Sequence, residues 1–161
     1  MVKILSIQAS PRGERSVSRT LTAGLLNRLA ARLPELEIVD RDLSIHHAPP
    51  ITDDFVTSMF VEPSKRDSVL HAAIRASDEL ILEVEHNDAI VIGSPMYNFS
   101  VSTALKGWID HIVRFNRTFA YAHGRSQGLL KDRPVTVITS SGGVVCIRKA
   151  LASLRISILP I

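Results

Sequence analysis

Ala89-Ile90-Val91-Ile92-Gly93-Ser94-Pro95-Met96-Tyr97-Asn98-Phe99 joins a uniformly apolar run to a loop of small, polar and aromatic residues. A run without polar alternation suits a central parallel strand whose two faces are both covered by helices. Gly93-Ser94-Pro95 then keeps the chain extended, because the residue before a proline avoids the helical region. Met96 to Phe99 therefore stand at the carboxyl end of a buried strand. In an open α/β sheet, ligands bind beyond that edge.

The same pattern recurs on both sides of this stretch. Val2 to Ile7 and Val135-Thr136-Val137-Ile138-Thr139 are β-branched apolar runs, and Leu36 to Val39 is a shorter one. Pro134 precedes the last run, where a missing N–H is tolerated. Ser18 to Leu33 places Leu21, Leu25, Leu29 and Leu33 at steps of four, which predicts a helix that Pro34 stops. Ser64 to His86 carries Leu70, Ile74, Ile81 and Val84 in a second amphipathic pattern. Ser102 to Arg114 carries Leu105, Trp108, Ile109, Ile112 and Val113 in a third, with Ser100 or Ser102 as its cap. His46 to Pro63 is proline-rich and aperiodic, so it reads as an excursion. Alternation at this spacing implies right-handed βαβ units in a doubly wound parallel α/β sheet. With 161 residues and no internal repeat, one domain over 1–161 is expected.

Composition excludes several classes. Hydrophobic residues at 45% against 22% charged describe an ordinary globular chain and not a disordered one. No apolar run reaches the roughly eighteen residues of a membrane span, and no leader precedes the first strand. A cytoplasmic protein with no membrane association is expected. The net charge of +3 comes from scattered basic residues without an aromatic-interleaved patch, so no nucleic-acid partner is expected. Cys146 is the single cysteine and is read as an incidental thiol. His46, His47, His71, His86, His111 and His123 show no metal-ligand spacing, and no metal is expected.

Three loops at strand ends carry the chemistry. Ser10-Pro11-Arg12-Gly13-Glu14-Arg15-Ser16-Val17-Ser18 follows the first strand and opens a helix, without a P-loop or a three-glycine fingerprint. Its three hydroxyls stand where unpaired N–H groups and the helix dipole favour an anion, although N-capping by Ser16 or Ser18 is the simpler use. Met96, Tyr97, Asn98 and Phe99 can receive a flat ring with a polar rim, or else plug the sheet edge. Ser140-Ser141-Gly142-Gly143 offers two hydroxyls and two residues whose backbone a ligand can approach closely. A tight strand-to-helix turn would use the same residues.

Together these segments resemble the FMN-dependent NADH:quinone oxidoreductase (azoreductase) family, of flavodoxin-like fold. Ser77-Asp78-Glu79-Leu80-Ile81 and Leu105-Lys106-Gly107-Trp108-Ile109-Asp110 also resemble family segments. The likeness covers residues 1 to about 143. It implies strand order 2-1-3-4-5, with FMN at the switch point between strands 1 and 3. By resemblance, Ser10 and Ser16, Val17 and Ser18 hold the FMN phosphate. Met96, Tyr97, Asn98 and Phe99 flank the ring, and Ser140, Ser141, Gly142 and Gly143 close its pyrimidine side. Phe119 and Tyr121 match a region that lines the second-substrate pocket, though aromatic packing in a loop serves as well.

The implied reaction is a two-electron, ping-pong transfer from NADH or NADPH through flavin to a quinone or azo compound. It needs no covalent or acid–base side chain, and the implied assembly is a homodimer. A flavodoxin-type electron carrier, or a truncated FMN-binding remnant, is the alternative. After Gly143 the likeness ends, so 144–161 reads as an atypical tail and the fifth strand as missing or replaced. Val135 to Thr139 would then be an edge strand apolar on both faces, a surface for pairing or a source of lower stability.

Overall fold

The computed structural model describes residues 1–122 and 124–142. His123, Gly143, Cys146 and the whole tail 144–161, where the fifth strand is expected to be missing or replaced, lie outside the described residues. The strands are β1 (Val2–Gln8), β2 (Leu36–Asp42), β3 (Ala89–Tyr97), β4 (Ser100–Val101), β5 (Phe119–Ala122), β6 (Arg125–Gly128) and β7 (Val135–Ser140). The helices are α1 (Val17–Ala30), α2 (Asp53–Phe60), α3 (Ser68–Glu85) and α4 (Thr103–Ile112).

β2, β1, β3 and β7 lie side by side and parallel, which is the 2-1-3-4 part of the order that the family resemblance implies. Beyond Pro95, β3 turns back on itself and pairs antiparallel with β4, so the sheet is mixed at that edge. Alternate residues of the strands feed two cores. Leu5, Ile7, Ile90 and Ile92 meet Leu80, Val84, Leu105 and Trp108 of α3 and α4, while Ile4 and Val91 meet Leu26 of α1 on the other face.

The elements differ from the sequence reading in four places. α1 ends at Ala30, short of Leu33, and it turns Leu21 outward while burying Ser18, Thr22 and Leu26. Steps of four drift around a 3.6-residue helix, and the small polar residues win the inner face because β3 passes very close to it. The aperiodic excursion contains α2, started by Thr52, whose hydroxyl accepts from Phe55 N at 3.2 Å, with Asp53 and Asp54 on the positive end of the helix dipole. α3 begins at Ser68, because Pro63–Lys65 forms a separate 3-10 turn and Asp67 caps the helix through Leu70 N at 2.9 Å. Phe119 and Tyr121 lie in a hairpin, β5 against β6, and not in a loop.

Candidate functional site

Strand order brings the three loops together. Gln8 is in register with Gly93, and Pro95 with Ser140, so the carboxyl ends of β1, β3 and β7 share one edge. Ala9 N donates to Gly93 O at 2.9 Å, and the Ser102 hydroxyl, which also caps α4, donates to Ala9 O at 3.0 Å. Gly93 permits this closeness. A Cβ there would lie 2.5 Å from Thr22 Oγ1 and 2.8 Å from Gln8 Oε1.

The first loop leaves β1 at Ser10, makes a 3-10 turn at Gly13–Arg15 and enters α1. Ser16 is the cap, accepting from Arg19 N at 3.4 Å, and its hydroxyl stands 3.1 Å from that of Ser18. Ser10, Ser16 and Ser18 are all buried, whereas the Val17 side chain is exposed. Val17 therefore has only its main chain to offer at the first turn, where N–H groups lack intrahelical partners. Three buried hydroxyls beside those N–H groups and the positive helix end suit a phosphate monoester.

Behind the loop, the Arg19 guanidinium donates to Ser10 O from Nε at 3.1 Å and from Nη2 at 2.8 Å. Its Nη2 also reaches Asp42 Oδ1 at 2.6 Å and Ser44 Oγ at 2.8 Å. Burial raises the Asp42 pKa, but the bonds from Arg19 and Ser44 and the charge of Arg19 outweigh that and bring it down to about 2. The sequence assigns Arg19 and Thr22 no role, marks Gly93 only as part of an extended strand end, and offers Ser102 only as a helix cap, which it is. The one signal for Arg19 is its place, one helical turn beyond the capping Ser16.

The second loop is a hairpin tip. Met96 pairs with Val101 and Tyr97 with Ser100, leaving Asn98 and Phe99 as a two-residue connection with φ of 49° and 63°. Two successive positive φ values mark the left-handed turn that fits the twist of a hairpin, and Asn tolerates it far better than Phe. Phe99 is 98% exposed, so packing gives no return for that strain. A strained, solvent-facing aromatic ring at a ligand edge is suited to stacking on another flat ring. In the third loop, Ser140 is half-buried at the end of β7, and Ser141 and Gly142 are exposed beside it.

Phe119 and Tyr121 form a separate aromatic group. Their rings meet edge-on with centroids 5.9 Å apart, and both touch Phe115, which meets Phe60 at 6.0 Å. Among the described residues no ring contact joins this group to Tyr97 or Phe99. Phe60 and Phe115 border a cavity of about 380 Å³ that Arg66, Asp78, Arg114 and Arg117 also line. Arg114 is buried there against Asp78 Oδ1 at 2.7 Å and Ser77 Oγ at 3.0 Å. Among the described residues no three His, Cys, Asp or Glu gather to hold a metal, and no helix is long and apolar enough to cross a membrane.

This order of parallel strands, with three loops converging at the switch between β1 and β3, defines a flavodoxin-like α/β protein. A family model described as Flavodoxin-like fold matches residues 2–150. The chain belongs to the FMN-dependent NADH:quinone oxidoreductase family. It is 43% identical over 143 residues to FMN-dependent NADH:quinone oxidoreductase 4 of Pseudomonas fluorescens, covering 89% of this chain and 68% of that protein. It is 39% identical over 142 residues to FMN-dependent NADH:quinone oxidoreductase 1 of Trichormus variabilis, covering 88% and 69%. Among solved structures, azoreductase AzrA superposes with a TM-score of 0.81 at 25% identity, over 89% of this chain and 70% of that one. The FMN complex of an FMN-dependent NADH-azoreductase from Bacillus anthracis gives 0.81 at 25% identity, over 92% and 73%.

Proposed function

We propose that this chain is an FMN-dependent oxidoreductase that passes electrons from NADH to quinones and azo compounds, and that the three converging loops are its cofactor site. The observation that carries the reading is the shared edge: Gln8 beside Gly93, Pro95 beside Ser140, and Ala9 bonded to Gly93. When bound there, FMN supplies a two-electron relay between donor and acceptor.

The chain's own residues bind and orient. Ser10, Ser16 and Ser18 offer hydroxyls, and Val17 and Ser18 offer main-chain N–H groups, to the phosphate. Met96, Tyr97, Asn98 and Phe99 flank the ring. Ser140, Ser141, Gly142 and Gly143 close its polar edge, where N–H groups stabilise negative charge. No side chain is assigned a covalent or acid–base role. Phe119 and Tyr121 line the pocket of the second substrate, in line with an aromatic group that borders a cavity. The protein works as a homodimer in the cytoplasm, where NADH is supplied. Sedimentation and cell fractionation test these two assignments.

One assay separates the main reading from its rivals. Purified protein is mixed with FMN, NADH and a soluble quinone. Steady NADH oxidation is the expected result. Protein that turns yellow without turnover indicates an electron carrier or an inactive remnant, and failure to take up flavin overturns the assignment of the loops.

A further inference from the structure

We propose that Arg19 and Asp42 form a positioning clamp that makes the first loop selective for a phosphate-bearing flavin. The inference rests on the assignment of that loop to the FMN phosphate and names residues outside the loop that set its selectivity. Arg19 stands one turn inside α1 and Asp42 ends β2, so the pair ties the helix to the neighbouring strand. Both side chains are largely buried.

The geometry is that of a shared knot. Asp42 Oδ1 accepts from Arg19 Nη2 at 2.6 Å, from Ser44 N at 2.8 Å and from Ser44 Oγ at 2.7 Å. The same guanidinium holds Ser10 O with two N–H groups. Ser10 is the last residue before the loop turns, and Arg12 N is bonded at 3.4 Å to its hydroxyl.

This arrangement solves a specific electrostatic problem. A main-chain carbonyl facing a bound phosphate repels it. By engaging Ser10 O, the guanidinium fixes that peptide so that the following loop can turn its donors to the anion. The charge of Arg19 is largely cancelled by Asp42, so the pair acts through position and not as a bare cation. Two competing accounts therefore differ in sign. If Arg19 attracted phosphate by charge alone, removing Asp42 would tighten FMN binding. If the clamp orients the loop, removing Asp42 weakens it.

The test compares FMN with riboflavin, which has the same ring and no phosphate, on the full chain by flavin fluorescence titration. Arg19→Gln and Asp42→Ala are each expected to weaken FMN about tenfold to a hundredfold while riboflavin shifts less than about twofold. Ser44→Ala keeps the ion pair and removes one strut, so it gives a smaller loss in the same direction. It also serves if either of the other variants fails to fold. Tighter FMN binding by Asp42→Ala overturns the clamp, as does an equal loss of both flavins or no change in either. A wild-type chain that holds riboflavin as tightly as FMN overturns the assignment of the loop itself, and the clamp with it.

Discussion

Thr22 closes on Gly93 so tightly that a methyl group at position 93 would sit 2.5 Å from the threonine hydroxyl oxygen. That oxygen donates to Ser18 O at 2.8 Å, so it is held in place by its own helix. Gly93 thus lets α1 lie against β3, and through α1 it sets the distance between the first and second loops. We expect Gly93→Ala to destabilise the fold by about 1–3 kcal/mol, the usual range for overpacking a core. Urea titration reads this as a lower midpoint with an unchanged slope. Thr22→Ala in the same chain opens the space and restores part of the loss. A double variant no better than Gly93→Ala alone would place the strain elsewhere.

Arg114 and Asp78 give an asymmetric pair. The arginine side chain is 5% exposed and the aspartate 44%, so each partner is left in a very different place when the other is removed. Burial already pulls the Arg114 pKa down, against Asp78, which pushes it up, and the charges of Arg66 and Arg117 add to the depression. Asp78→Ala strands a buried cation and is expected to cost about 3–5 kcal/mol. Arg114→Met strands only a half-solvated carboxylate, and Ser77 keeps its bond to His111 O at 2.5 Å. We therefore expect the methionine variant to be the more stable of the two. Equal midpoints in urea for the two variants would overturn this asymmetry.

Asp42 should appear in the acid limb of stability. Its pKa falls from 3.8 to about 2 on folding, so the stabilising effect is fully present above pH 3.8 and is lost as pH falls through 2. The unprotonated form is the one bonded to Arg19 and Ser44, which fixes the sign. A fall from 3.8 to about 2 corresponds to about 2.5 kcal/mol, and solvent screening at this edge reduces the expected loss to about 1 kcal/mol. Denaturation at pH 7, 4 and 2.5 checks it. Between the last two values, wild type should lose more than Asp42→Ala, which carries no carboxylate there.

Much of this site was legible in the sequence because its signals are local. Ala89 to Ile92 is apolar throughout, and Gly93-Ser94-Pro95 marks where the strand reaches the ligand edge. Ser16 lies one turn before Arg19, as a cap must. What failed to show depends on distance in the chain. The burial of Thr22 in place of Leu21 follows from the approach of β3, some seventy residues on. Helix α2 was hidden between Pro49-Pro50 and Pro63, whose punctuation outweighed the capping Thr52. The left-handed backbone at Phe99 runs against the preference of an aromatic residue, so no propensity argument would place it there.

Phe99 is where strain and ligand contact can be separated experimentally. A left-handed phenylalanine costs about 1–2 kcal/mol, and glycine at the same φ loses only part of that gain to its freer unfolded chain. Because the ring is 98% exposed, its removal takes little packing from the apo fold. We expect Phe99→Gly to raise stability by about 0.5–1 kcal/mol while weakening FMN binding and quinone turnover. Phe99→Asn, which tolerates the same backbone, should do likewise with a smaller gain. Thermal melts of the apo chain and FMN titration on the same samples give both readings. Opposite changes in stability and affinity identify Phe99 as a residue held for the cofactor. If both fall together, the ring supports the hairpin itself, and the second loop's part in binding passes to Met96, Tyr97 and Asn98.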